Sequence, residues 1–305
     1  MIGSIFIKSV VAIARLVSDK SVVGFEDGNV LLLNKDYASA LSKFKIAAEK
    51  GHAGAQQQIG RMYSKGWGVE RNQVEAVRWY ELAAAQGHSG ARCDLGVAFM
   101  KGDGVVENYD TARYWFILAS QKNDVAEFNL GITYAFGVGV KQDYDEAYIW
   151  FRRAAESGNP SAQYEIGELY KNGLGFLQDY SEAARWYRMA ADLGNVDAQV
   201  SLGEMYKNNQ GVAKDFCETT KWWKLAAAKG SATARSNLAA MYANGEGVVQ
   251  DYAVAHMWAD LAEAAGAEEG IKDREAIAAK MTTQQIAEAK KLARDYQEQN
   301  FTDGD

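Results

Sequence analysis

The chain has a single proline, Pro160, in 305 residues. Proline removes an amide donor and clashes with the preceding helical turn, so its scarcity leaves room for helix almost everywhere. Cysteine is nearly as scarce, with Cys93 and Cys217 alone. Two cysteines so far apart give no disulfide framework and lean toward a reducing compartment. Lys and Arg number 33 against 40 Asp and Glu, a formal net charge of -7. Sequence-independent nucleic-acid binding needs a cationic surplus to displace counterions, so nucleic acid is set aside as a partner. No apolar run reaches the ~18 residues of a membrane span, and no integral insertion is expected. The nearest approach, Ile5 to Val17, is interrupted by Lys8 and Arg15. Its apolar residues Ile5, Phe6, Val10, Ile13, Leu16 and Val17 recur at helical spacing. Residues 1–21 are therefore expected to form an amphipathic helix that docks on the first repeat, with a degenerate targeting or membrane-surface segment as the alternative.

Hydrophobic residues are plentiful, at 48%, and the positions of the 29 glycines are not random. Trp79, Trp115, Trp150, Trp186, Trp222 and Trp258 recur every 36 or 35 residues. Gly60, Gly96, Gly131, Gly167 and Gly203 keep that register, and Ala239 takes the sixth place. Tyr63, Phe99, Tyr134, Tyr170, Tyr206 and Tyr242 come three residues later each time. Three rows sharing one period define a stacked repeat protein rather than two globular domains. The repeats are 52–87, 88–123, 124–158, 159–194, 195–230 and 231–266, preceded by a half-repeat at 22–51 with Gly28, Tyr37 and Phe44.

Each repeat reads as two helices. In the first, Ala162, Ile166, Gly167 and Tyr170 exemplify one face of a 3.6-residue period. A mid-helix glycine costs up to about 1 kcal/mol, which close approach of the partner helix would offset. A Gly-x-Gly-Val loop comes next, as in Gly137 to Val140. Its first glycine suits the left-handed residue that ends a helix, and Asn209 replaces it in the fifth repeat. No strand precedes this loop and it recurs, which favours capping over phosphate binding. The second helix carries Ala183, Trp186, Tyr187, Ala190 and Ala191 in the fourth repeat, and the Trp row is expected in the core. The second repeat ends on Lys122-Asn123 with a shorter turn, where Asn123 is expected to take the left-handed cap. Residues 267–305 leave the pattern. Thr282 and Gln285 form a capping-box signature before an amphipathic terminal helix.

The motifs Ala-x-x-x-Leu-Gly-x-x-Tyr, Gly-x-Gly-Val-x-x-Asp-Tyr and Glu-Ala-x-x-Trp-aromatic-x-x-Ala-Ala-x-x-Gly resemble the Sel-1-like repeat (SLR) family, relatives of the tetratricopeptide (TPR) repeats. Gly173 to Ala191 carries the match most fully, and the likeness extends over about 22–266. The resemblance implies an all-α, right-handed α/α superhelical solenoid acting as a protein-binding scaffold or adaptor. Members often carry proline after the loop valine; here Val106, Gln142 and Val249 stand thereabouts. A cysteine-rich branch linked to penicillin binding has a disulfide in each repeat, which two cysteines do not supply.

Chemistry is sparse. His52 and His88 occupy equivalent places in successive repeats, too far apart for one zinc ion when helices stack 8–10 Å apart, and both read as surface residues. Ser42 and Lys45 match Ser-x-x-Lys without the Ser-Asp-Asn and Lys-Thr-Gly elements that acyl-serine enzymes need. No catalytic residue, metal or cofactor is assigned. The expected function is a non-enzymatic scaffold binding a protein or peptide. The alternatives are a secreted or envelope-associated bacterial factor contacting host or cell-wall components and a hydrolase of the penicillin-binding type. A monomer is favoured.

The TPR likeness places the first helix's outer face on the concave side. Its middle is apolar: Val97 and Met100, then Phe128, Ile132 and Phe136, then Tyr164. Its ends are polar, with Gln57, Arg61 and Lys65 before and Glu204 and Lys207 after. An apolar patch with a polar rim marks an interaction site. Trp67, in a loop, is a separate candidate contact.

Overall fold

The computed structural model describes residues 22–267 and 274–301, all in helices and the turns between them. The expected N-terminal segment, 1–21, lies outside the described residues. The helices come in pairs: α1 (22–33) with α2 (Tyr37–Glu49), α3 (Ala53–Lys65) with α4 (Gln73–Ala85), α5 (Ser89–Lys101) with α6 (Tyr109–Ala119), and α7 (Asp124–Phe136) with α8 (Tyr144–Glu156). They continue as α9 (Pro160–Asn172) with α10 (Tyr180–Asp192), α11 (Val196–Asn208) with α12 (Phe216–Ala228), and α13 (Ala232–Asn244) with α14 (Tyr252–Ala264). A short α15 (274–278) and a long α16 (Thr283–Phe301) close the chain. Contacts divide it into a first unit ending at Ala154 and a second beginning at Ala155.

Caps explain why the helices start and stop where they do. First helices open on His52, His88, Asn123, Asn159, Asn195 or Ser231, whose side chain accepts from the amide three residues on. Each satisfies one of the orphan amides of a helix start. The first helices of the six full repeats end on a left-handed residue, Gly66 at φ 74 being typical and Asn209 at φ 56 the substitute. The turn closes when the amide of the next N-cap donates to the aromatic carbonyl of the preceding helix, as Asn72 to Tyr63 at 2.9 Å and Asp179 to Tyr170 at 2.9 Å. The turn after α6 departs from expectation. Asn123 sits at φ -149 as the N-cap of α7, and Ser120, right-handed, ends α6. Asn123 thus takes the N-cap place that Asn159 and Asn195 hold in later repeats, and the left-handed glycine that precedes those two, Gly158 and Gly194, is the residue this shorter turn lacks.

The core corrects the expectation for the Trp row in part: Trp222 and Trp258 are buried as expected, but Trp79, Trp115, Trp150 and Trp186 are only half-buried. The next residue fills the core: in the first unit Tyr80, Phe116 and Phe151, in the second Tyr187 and Trp223. Each of these rings lies against the helical glycine of its own repeat. A Cβ on Gly96 would stand 2.5 Å from Phe116, and one on Gly167 2.5 Å from Tyr187. The half-buried Trp side chains pack where two repeats meet: Trp79 on the cluster that joins Phe44 of the half-repeat to Ile59 and Met62, and Trp115 on the one that joins Tyr80 of the first repeat to Leu95 and Ala98 of the second.

Buried polar side chains tie helix ends together. Gln199 donates to the Ala191 carbonyl at 3.1 Å, and Arg235 to the Ala227 carbonyl at 3.2 Å and the Leu261 carbonyl at 2.8 Å. These carbonyls lie in last turns that lack intrahelical partners. At the C-terminal end, the Thr282 amide donates to Gln285 at 2.8 Å and the Gln285 amide to Thr282 at 3.3 Å, completing the expected capping box. Tyr296 of α16 meets Trp258 edge-on at 5.0 Å.

The histidine caps add a pH response. His52 and His88 are half-buried caps rather than plain surface residues, accepting through Nδ1 at 3.1 and 3.3 Å. Burial lowers both pKa values from 6.5, and the Arg61 charge lowers that of His88 further. Because the folded pKa lies below the unfolded one, the caps contribute fully above pH 6.5 and fail as pH falls through the folded value. We expect His52→Asn with His88→Asn to remove this acid-side loss in urea titrations across pH, since asparagine caps in either state. Alanine at either position should cost about 1 kcal/mol at pH 8.

Candidate functional site

In the first unit, α5 and α7 carry the expected apolar row. Val97 and Met100 are half-buried against the cluster of Ala112, Phe116 and Leu130. Phe128 leans on Phe151 at 5.8 Å, and Ile132 is half-buried. Phe136, in the last turn of α7, is 66% exposed. The row therefore runs from rings anchored in the core to one ring standing in water. Other residues of this face are withdrawn from it. Cys93 and Ala135 are buried, and Gln57 is turned inward to donate to Asp94 at 2.6 Å. Burial pushes the Cys93 thiol up to about 12, so it offers no thiolate.

Trp67 is not the free loop ring that the sequence suggests. It is half-buried and stacks on Tyr37 at 5.7 Å with 11° between the planes. It lines an open groove of about 540 Å3 that Val97 also lines. Val77 and Tyr80 form the floor, and Arg61, Lys65 and Lys101 stand around it. Arg61 is held by Asp94 of the next repeat, at 3.0 and 3.3 Å. The structure thus joins two candidates that the sequence kept apart.

In the second unit, Tyr164 stacks on Tyr187 at 5.6 Å and is half-buried. Its surroundings are acidic. The Tyr187 hydroxyl donates to Glu168, and burial together with Glu168 and Asp197 pushes the Glu165 carboxyl up to about 7. Among the described residues no group of three metal-capable side chains converges, and no helix is long and apolar enough to cross a membrane. Arg274 of α15 pairs with Glu263 and lies 4.0 Å from Asp260, which fastens α15 to α14, and within α14 His256 contacts Asp260 at 3.1 Å.

The Sel1 repeat profile matches six consecutive stretches: 53–88, 89–124, 125–159, 160–195, 196–231 and 232–266. The chain belongs to the Sel1 repeat family. A Sel1 repeat protein from Oxalobacter formigenes, known from its crystal structure, is similar at 35% identity and a TM-score of 0.74, over 79% of this chain and 99% of that one. A protective antigen with an SLR fold, present in uropathogenic Escherichia coli strains, is similar at 29% identity and a TM-score of 0.49, over 87% of this chain and 65% of that one. No curated protein matches the chain. The Sel1 repeats here make an all-α solenoid of helix-turn-helix units, a fold that generally serves as a non-catalytic scaffold.

Against the Sel1 pattern, one exposed set was missed. Val106, Leu177 and Val249 stand two residues after the second loop glycine and are 87%, 90% and 88% exposed. Their signal was in the sequence: an aliphatic residue at one repeat position outside every helical face.

Proposed function

We propose that this Sel1 repeat protein is a non-enzymatic scaffold that holds a segment of a partner protein on the first-helix face of its first unit. The residues that would make contact are Val97, Met100, Phe128, Ile132 and Phe136, with Trp67 beside them. Tyr164 offers a further aromatic contact on the corresponding face of the second unit. The observation carrying this reading is the 66% exposure of Phe136 at the end of a row of half-buried apolar side chains. A ring that large, left in water while its neighbours are anchored, suits a contact completed by another molecule. Burying ~300–400 Å2 of such a surface yields ~8–10 kcal/mol gross. Association losses of ~4 kcal/mol leave ~4–6 kcal/mol, which corresponds to roughly millimolar to tens-of-micromolar binding of a short segment.

The test is Ile132→Glu together with Phe136→Glu. The folded circular-dichroism spectrum should persist and partner binding should collapse. Unfolding of both single variants would make these residues core. Retained binding by a folded double variant would place the site elsewhere.

A further inference from the structure

The first-unit groove has a chemistry of its own, separable from the Phe136 end of the face. Its floor is apolar, from Val77 and Tyr80, and its walls are the half-buried Leu32, Trp67 and Val97. A volume of about 540 Å3 admits one or two large side chains rather than a folded domain. The charges around it are not balanced. Arg61 and Asp94 neutralise each other through two hydrogen bonds, and Gln57 occupies Asp94 as well. Lys65 and Lys101 stand at the same position of successive repeats, in the last turns of α3 and α5. Both are exposed, and among the described residues neither is in an ion pair. Asp103 supplies one opposing charge, so the open rim stays cationic.

We infer that this groove takes an extended segment of a partner protein in which a bulky aliphatic or aromatic residue lies next to an aspartate or glutamate. The apolar side chain enters between Trp67 and Val97, over Val77 and Tyr80. The neighbouring carboxylate meets the ammonium groups of Lys65 and Lys101. Trp67 is well suited as a wall, because its stack on Tyr37 fixes the ring before any ligand arrives and little rotamer freedom is lost on binding. The inference rests on the proposed scaffold function and names the chemistry of the partner.

The experiment selects peptides from a random library displayed with blocked C-termini against the full chain. The recovered peptides are then measured by fluorescence anisotropy against three proteins: wild type, Lys65→Glu with Lys101→Glu, and Phe136→Glu. The expected motif is an acidic residue beside a bulky apolar one. The lysine double variant should weaken its binding about tenfold or more, because the exposed side chains are reversed in charge without touching the core. Wild-type affinity should also fall as salt rises. Recovery of no peptide, of peptides without an acidic residue, or of peptides binding equally well to the lysine double variant overturns the inference. A requirement for a free C-terminal carboxylate in follow-up peptides overturns it too. Peptides indifferent to the lysines but lost with Phe136→Glu overturn it while leaving the scaffold reading intact. Peptides indifferent to both sets of changes sink both.

Discussion

Truncating Tyr187 to alanine should destabilise the second unit by about 3–5 kcal/mol, the cost of emptying a fully buried aromatic site. The Tyr187 side chain is 0% exposed and its hydroxyl donates to Glu168. Gly167→Ala alone should cost about 1–3 kcal/mol, because its new methyl would lie 2.5 Å from the Tyr187 ring. The two changes together should cost less than their sum. Once the ring is gone, the methyl has nothing to strike. The chain already contains that double replacement, since Ala239 and Ala259 occupy the equivalent positions in α13 and α14 and both are 0% exposed. A double-mutant cycle, read by hydrogen exchange in α9 and α10, should give a favourable coupling of about 1 kcal/mol or more. Strict additivity would mean that the glycine does not set the distance between the paired helices.

The second loop glycine should tolerate substitution far less than the first. At the first position, Gly245→Asn should change stability by no more than ~0.5 kcal/mol. Asparagine visits the left-handed region, and Asn209 already does so at φ 56 in the same role. At the second, Gly211 has φ +68, and a Cβ there would lie 2.1 Å from the Tyr180 carbonyl oxygen of the preceding repeat. Backbone does not swing aside as a side chain does. Gly211→Ala should therefore cost about 3 kcal/mol or more, combining left-handed strain with displacement of one repeat from the next. Thermal melts of the two variants should separate clearly. Equal melting temperatures would remove the second glycine from the contact between repeats.

The fold was legible because period and motif recur together, so that each local pattern is repeated six times over. The capping residues were equally open to view. His52 and His88 stand where Asn123, Asn159, Asn195 and Ser231 stand later, and that alignment gives the histidines their role. The error over the Trp row has a simple physical origin. Trp186 and Tyr187 are adjacent, and helical periodicity does not resolve which of two neighbouring aromatics faces inward. The discriminating signal was the pairing of small with large: only the repeat with Ala at 259 lacks glycine at 239. The candidate site was legible only in part. The exposure of Phe136 accords with its place in the last turn of α7. The stack of Trp67 on Tyr37 joins a loop to the helix of the preceding repeat, 30 positions earlier, and only packing reveals it. The loss of Gln57 and Cys93 from the face likewise depends on Asp94 and Asn129 in the next helices.

Site-specific photocrosslinking tests the central claim most directly. A benzophenone side chain in place of Phe136 would sit at the tip of the proposed contact row. The same group in place of Leu82, 52% exposed on the second helix α4, samples an exposed apolar position outside that row. In extracts of the native source, position 136 should yield a discrete protein adduct that Ile132→Glu abolishes, while position 82 yields none. Adducts from position 82 alone, or none from either, would contradict the assignment of the first-helix face as the binding surface.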